Sequence, residues 1–267
     1  ITFFATLSVV SGLGKGIKIL SIANIFLAAI LMLFVFFTGP TAFLLDSFLQ
    51  NTGTYLQNIV ALSFYTAPYQ EQGWRSGWSL FYWSWWIAWS PFVGIFLARI
   101  SKGRTIREFL TGILIVPSLI TFFWLSIFGN SAYWLFENNM GENILKAVSD
   151  SKTVPYAFFM FLEQLPFAEF SSFIAVLVIS SFFITSSDSG SFVIDIVSAA
   201  GNPDPPISQR VFWAIIEGAV AAVLLAFGGL QGLQMASITC ALPLCILLFL
   251  ALFTFLRKIK QNNWPLP

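Results

Sequence analysis

The feature that most constrains the fold of this chain is a series of long apolar runs separated by charged or turn-forming residues. A run of about 20 apolar residues is long enough to cross the hydrocarbon core of a bilayer as a helix. One partial run and six full runs follow this pattern, at 1–12, 19–38, 79–98, 110–128, 171–194, 210–228 and 233–256. The sequence therefore predicts an all-α membrane protein that crosses the bilayer several times.

The composition agrees with lipid as the main solvent of this chain. Hydrophobic residues make up 57% of the 267 positions and charged residues only 9%, whereas soluble domains carry about 25% charged residues. The net charge of +1 does not support binding of nucleic acid, which would need a clustered basic face. We therefore expect no nucleic-acid partner. The absence of histidine removes the usual general base and zinc ligand. We therefore expect no enzyme activity and no cofactor.

The basic residues orient the predicted spans. Alternating the sides of the membrane places ten of them together, at Lys15, Lys18, Arg99, Lys102, Arg104, Arg107, Arg210, Arg257, Lys258 and Lys260. The other three are Arg75, Lys146 and Lys152. An excess of lysine and arginine marks the cytoplasmic side. The segment 41–65 is then an amphipathic helix at the outer interface, and 129–170 is a long extracytoplasmic loop. Because the chain starts in an apolar run, we expect it to be a piece of a longer protein.

An aromatic stripe follows the third span. Its members recur at spacings of three and four residues, which places them on one helical face: Tyr82, Trp85, Trp86, Trp89, Phe92 and Phe96. Tryptophans at headgroup level are a common interfacial belt. Trp89, however, lies ten residues from Arg99, or about 15 Å along a helix, which is near the middle of a bilayer.

Two explanations of this stripe remain open. The rings either pack against other helices or line a cavity. Membrane helix interfaces favour small residues, which argues for the cavity. Indole faces attract cations by up to about 2 kcal/mol per desolvated contact. A quaternary ammonium group donates no hydrogen bonds, so it is the guest that such a wall predicts.

A polar cluster interrupts the span at 171–194. Six polar side chains occur between Thr185 and Ser191, and hydroxyl oxygens with freed carbonyls suit a hard cation such as sodium. The alternative is that each hydroxyl hydrogen-bonds the backbone of its own helix. Asp188 and Glu217 are the acids expected at membrane depth, and we favour a structural role for Glu217 over a proton route.

Five segments together resemble one family of transporters. They read WSWWIAWSPFVG at 83–94, ARISKGRTIREF at 98–109, FGNSA at 128–132, TSSDSG at 185–190 and SGLGKGI at 11–17. This pattern is similar to the betaine/choline/carnitine transporter family and extends over essentially the whole chain. The resemblance implies a bacterial cytoplasmic-membrane protein, and a homotrimer in its intact form.

The resemblance also implies a fold. Members have twelve helices, ten of which form two inverted five-helix repeats of the LeuT type around the solute site. This chain corresponds to helices six to twelve. Residues 1–77 would hold the end of the first repeat with the interfacial helix, and 78–267 the complete second repeat.

The resemblance assigns roles to particular residues. Trp85, Trp86 and Trp89 match tryptophans that bind trimethylammonium, and Trp83 matches a residue at the outer mouth. Tyr82 is added to the predicted solute residues by its place in the aromatic stripe. Thr185 and Ser186 match a sodium-binding pair, and Phe182 matches a residue near a second ion site.

The implied function is secondary active import of choline or glycine betaine by alternating access, coupled to sodium or proton entry. A ligand-gated channel or a membrane receptor with the same aromatic cage is the alternative. An enzyme acting on choline lipids is disfavoured, because the sequence offers no nucleophile–base pair or metal cluster.

Overall fold

The computed structural model describes residues 16–66, 69, 75–150, 152–202 and 205–261. The predicted partial span at 1–12 lies outside these residues. All regular elements within the described ranges are helices, which confirms the all-α prediction. The predicted division into repeats at residue 78 stays a prediction.

Nine α-helices account for most of the described chain. They are α1 (Gly16–Thr38), α2 (Thr41–Ser63), α3 (Phe81–Ile100), α4 (Ile106–Glu137), α5 (Glu142–Ser149), α6 (Ala157–Leu162), α7 (Ala168–Ser198), α8 (Ile207–Thr239) and α9 (Ala241–Gln261). A π-helical turn at Arg75–Leu80 leads into α3, and a 3-10 turn at Val154–Tyr156 precedes α6.

Five segments of the described chain are long and apolar enough to cross a membrane. They are Ile19–Thr38, Gly77–Ala98, Ile106–Glu137, Ala168–Ser198 and Ile207–Lys258. The last segment has 52 residues and contains two of the predicted spans, 210–228 and 233–256. Between those two spans, Gly229 takes φ 58° and ψ −157° and breaks the helix. This backbone conformation is essentially restricted to glycine. The break separates the last two predicted spans, so all six predicted full spans have helical counterparts.

The predicted loop at 129–170 is largely helical. α4 continues past the predicted end of its span to Glu137, and α5 and α6 follow it. Burial explains the extension, because Ser131 and Leu135 of α4 and Phe161 and Leu162 of α6 lie in the interior. Apolar side chains packed in this way stabilise helices that a short window of sequence does not predict.

Contacts divide the described chain into two compact units, of which the first comprises the described residues within 1–64 and 103–217. In this unit α1 packs against α7 and α4, and α2 packs against α4. The core includes Leu31 and Val35 of α1, Ile127 of α4 and Ala175 of α7. Aromatic contacts join α2 to α4, with ring centroids 5.5 Å apart for Phe48–Phe123 and 5.1 Å for Tyr55–Phe122.

The second unit comprises the described residues within 65–102 and 218–267. Here α3 packs against α9, and Ala241 at the start of α9 is buried. α3 stays helical through Pro91. The predicted solute residues belong to this unit, whereas the predicted ion-site residues belong to the first.

Candidate functional site

The aromatic stripe of α3 is one continuous helical face. Its helix runs without a break from Phe81 to Ile100, as the spacing of three and four predicts. All five predicted solute residues are exposed within the described chain: Tyr82 43%, Trp83 68%, Trp85 40%, Trp86 70% and Trp89 46%. Their indole and phenol faces are therefore available to a guest or a further helix.

The rings that do make contacts touch one another. Trp78 stacks on Tyr82 with centroids 5.8 Å apart and an angle of 4°, and Tyr82 meets Trp85 at 6.2 Å. Phe81 also reaches Trp85, at 5.4 Å. Neighbouring rings restrain each other's rotamers, and offset pairs of this kind contribute about 0.5–1.5 kcal/mol. The N-terminal half of the stripe is thus held in place by contacts among its own rings.

A local hydrogen bond compensates for the proline beyond Trp89. Pro91 has no N–H, so it leaves the carbonyl of Ile87 without its usual helical donor. The hydroxyl of Ser90 donates to that carbonyl at 2.7 Å. The helix therefore passes the proline with its backbone acceptor satisfied, and the stripe keeps its alignment.

The hydroxyl of Thr185 makes several hydrogen bonds. It donates towards the carbonyls of Ser181 at 3.1 Å and Phe182 at 3.0 Å, and accepts from the Asn24 amide of α1 at 3.3 Å. Bonding within its own helix was the alternative left open by the sequence, and Thr185 adopts it. The neighbouring Ser186 is exposed, so the two hydroxyls of the predicted sodium pair have different surroundings.

Asn24 is the polar residue at this place that the sequence analysis missed. Its side chain is only 2% exposed. Its amide nitrogen donates to Thr185, while its Oδ1 is buried with no hydrogen-bond partner among the described residues. An amide oxygen is a ligand type that hard cations accept. A single asparagine in the apolar run 19–38 was the signal that could have revealed it, because polar groups at membrane depth are costly.

Further along α7, a buried polar face lies against the first half of α8. Asp188, Ser191 and Asp195 are at most 1% exposed and recur at spacings of three and four, on one side of the helix. Arg210 of α8 donates from Nε to Asp195 Oδ2 at 3.0 Å. Ser191 donates to Glu217 Oε2 at 2.7 Å. Of the two acids identified from the sequence, Asp188 thus lies on this face of α7, and Glu217 of α8 is hydrogen-bonded to the same face through Ser191.

Comparison with known proteins places the chain among transporters. The betaine/carnitine/choline family transporter pattern matches residues 1–264. An uncharacterized transporter of Mycobacterium tuberculosis (strain ATCC 25618 / H37Rv) is 50% identical over 260 residues, covering 96% of this chain and 43% of that protein.

Two relatives with named solutes are similar over almost the whole chain. The glycine betaine transporter OpuD of Bacillus subtilis (strain 168) is 43% identical over 265 residues, covering 98% of this chain and 51% of OpuD. The glycine betaine transporter of Acinetobacter baylyi (strain ATCC 33305 / BD413 / ADP1) is 41% identical over 263 residues, covering 98% of this chain and 39% of that protein. This chain thus spans roughly half or less of the length of these relatives. It belongs to the betaine/carnitine/choline transporter family.

Proposed function

We propose that this chain forms part of a secondary active transporter that imports choline or glycine betaine by alternating access. The observation that carries the proposal is the exposed aromatic face of α3, in a chain whose relatives include glycine betaine transporters. A trimethylammonium group is attracted to indole faces without needing oxygen ligands. Trp85, Trp86 and Trp89 would hold this group, Tyr82 would extend the wall, and Trp83 would lie at the outer mouth.

We further propose a coupling cation near Thr185. Solute accumulation against a gradient needs an energy source, and sodium or proton entry supplies it in this proposal. Thr185 and Ser186 would contribute hydroxyl oxygens, Asn24 would add its buried Oδ1, and Phe182 would lie beside the ion. The support is the presence of a buried oxygen without a hydrogen-bond partner, in the described residues, next to the predicted pair.

The bacterial relatives support a proposal about the cellular setting. We propose that the intact protein lies in the bacterial cytoplasmic membrane and assembles as a homotrimer. Chemical cross-linking of the full-length protein in its native membrane tests the assembly, with a trimeric band as the expected product.

Uptake measurements on the full-length protein in proteoliposomes test the transport proposal. Radiolabelled choline, glycine betaine and carnitine are supplied with a sodium gradient, and then with sodium replaced by potassium. Trp89→Ala should abolish uptake while the protein still folds, because a cation–π contact at mid-membrane depth is lost. Trp213→Ala is the matched control, since it removes an indole that belongs to α8 and not to the stripe.

The same measurement separates a carrier from a channel or receptor. A carrier concentrates solute against its gradient, whereas a channel only equilibrates it. Wild-type uptake in Trp89→Ala would remove the aromatic site from the proposal. Solute flux that never exceeds equilibrium would remove the carrier mechanism.

A further inference from the structure

Glu217 lies near the middle of the first helical part of α8. It follows Ile207 by ten residues and precedes the break at Gly229 by twelve. At 1.5 Å per residue these separations are about 15 and 18 Å, which corresponds to mid-membrane depth for a spanning helix. A charged side chain at this depth costs at least about 2.5 kcal/mol. The carboxylate therefore needs a partner that neutralises it.

The described residues supply Glu217 with a hydrogen-bond donor but no neutralising charge. Its one polar contact within this part of the chain is the hydroxyl of Ser191, 2.7 Å from Oε2. Ser191 is itself 1% exposed, so the contact lies in the interior on the α7 side. A hydroxyl can donate to a carboxylate and can also accept from a carboxylic acid. This hydrogen bond can persist in either protonation state of Glu217.

The charged groups on the facing helix do not neutralise Glu217 either. The α7 face that carries Ser191 also carries Asp188 and Asp195, and both of them are acidic. The cation on α8 closest in sequence is Arg210, and its Nε is held by Asp195 at 3.0 Å. Arg210 is thus engaged one helical turn away from Ser191, by a carboxylate that is 0% exposed.

A proton fits this environment better than a metal cation. Sodium requires several oxygen ligands, as hard cations generally do. Among the described residues, the side-chain oxygen that hydrogen-bonds Glu217 is that of Ser191. A proton needs only the carboxylate itself, and binding it converts a costly charge at membrane depth into a neutral acid.

We infer that Glu217 is a proton-binding site that couples proton entry to solute import, an inference that rests on the proposed transport function. The carboxylate takes up one proton from the outer side to form the carboxylic acid, and releases the same proton to the cytoplasm after the transporter reorients. One positive charge enters per cycle through this group. Ser191 acts as a positioning residue, because it holds the carboxyl group against α7 in both states.

Two transport modes of the full-length protein in proteoliposomes test this inference. The first is accumulation of labelled solute driven by an inward proton gradient in sodium-free buffer. The second is exchange of labelled for unlabelled solute at equal pH, which needs no net proton movement. Glu217→Gln keeps a neutral side chain that can still bond Ser191. We expect this variant to retain exchange and to lose proton-driven accumulation. Glu163→Gln, outside the spans, is the matched control and should retain both.

A second variant leaves Glu217 in place and changes only its donor. Ser191→Ala removes a hydrogen bond that stabilises the charged carboxylate. The pH of half-maximal uptake should therefore rise by about one unit, as the loss of a hydrogen bond to a charged group implies. Ser191→Thr restores the hydroxyl and should restore the wild-type pH profile. A purely structural role of this hydrogen bond would lower uptake at every pH without moving the profile.

Each other outcome contradicts a defined part of the proposal. Proton-driven accumulation in Glu217→Gln at the wild-type level overturns the inference. So does loss of exchange in Glu217→Gln combined with an unchanged pH profile in Ser191→Ala, because Glu217 is then structural. Wild-type accumulation that follows sodium alone overturns the inference but leaves the transport proposal intact. Absence of both uptake and exchange in the wild type refutes the proposed function itself.

Discussion

The aromatic face of α3 and the polar face of α7 use their side chains in opposite ways. The tryptophans of α3 are exposed, and Trp85 contacts the rings of Phe81 and Tyr82 on the same helix. Asp188, Ser191 and Asp195 of α7 are buried, and Thr185, Ser191 and Asp195 each bond a side chain on another helix. Side chains that are hydrogen-bonded within the protein contribute to its stability, whereas exposed rings are available for binding. The comparison predicts different measurable losses when each face is altered.

The largest effect is expected at the buried ion pair of α7. Asp195→Ala leaves the Arg210 guanidinium in the interior without its carboxylate. Breaking a buried pair from one side destabilises a protein by about 3–5 kcal/mol. The melting temperature of the purified full-length protein should fall markedly. Glu142→Ala is the matched control, because it breaks the exposed Lys146–Glu142 pair of α5, 3.7 Å apart. Equal melting temperatures for the two variants would contradict the contrast.

A smaller effect, in binding rather than stability, is expected on α3. Trp86→Ala removes the most exposed indole of the stripe. Loss of one desolvated cation–π contact of about 2 kcal/mol weakens solute affinity about 30-fold. The concentration for half-maximal uptake measures this change, and the melting temperature should stay near that of the wild type. Trp86→Phe keeps a ring and should lose less affinity. A large drop in melting temperature with unchanged affinity would show that Trp86 packs against another helix instead.

The smallest effect is expected from a hydrogen-bonded polar side chain on α3 itself. Ser90→Ala removes the hydroxyl that satisfies the Ile87 carbonyl ahead of Pro91. The expected loss of stability is about 1 kcal/mol, the value of one hydrogen bond. Ser118→Ala on α4 is the control, since Ser118 bonds the carbonyl of Leu114 in the usual i−4 position and no proline deprives that carbonyl of its backbone donor. A loss in Ser118→Ala as large as in Ser90→Ala would show that the proline plays no part.

The sequence was sufficient to predict the spans and the family. Apolar runs of about 20 residues determine spanning helices almost by length alone, and the motif at 83–94 is long enough to be specific. Family membership also confirms that the chain is not an enzyme, because its relatives are transporters. These conclusions depend on neighbouring residues in the chain, which a sequence displays directly.

The side-chain hydrogen bonds that join α1 and α8 to α7 could not be predicted from the sequence. Asn24 bonds a residue 161 positions away, and Ser191 bonds one 26 positions away. Such pairs depend on which helices are neighbours and how each is rotated. The sequence identified Glu217 as deep in the membrane but gave no partner for it. The apolar run also predicted too early an end for α4, because burial of Leu135 extends that helix beyond the run.

The break at Gly229 bears on how the end of the chain enters the membrane. No charged residue lies between Glu217 and Arg257. The boundary between the last two spans is therefore not marked by a charged residue. A continuous helix of 52 residues would be about 78 Å long, far more than the roughly 30 Å of hydrocarbon. The backbone conformation of one glycine therefore takes the place of a charged loop.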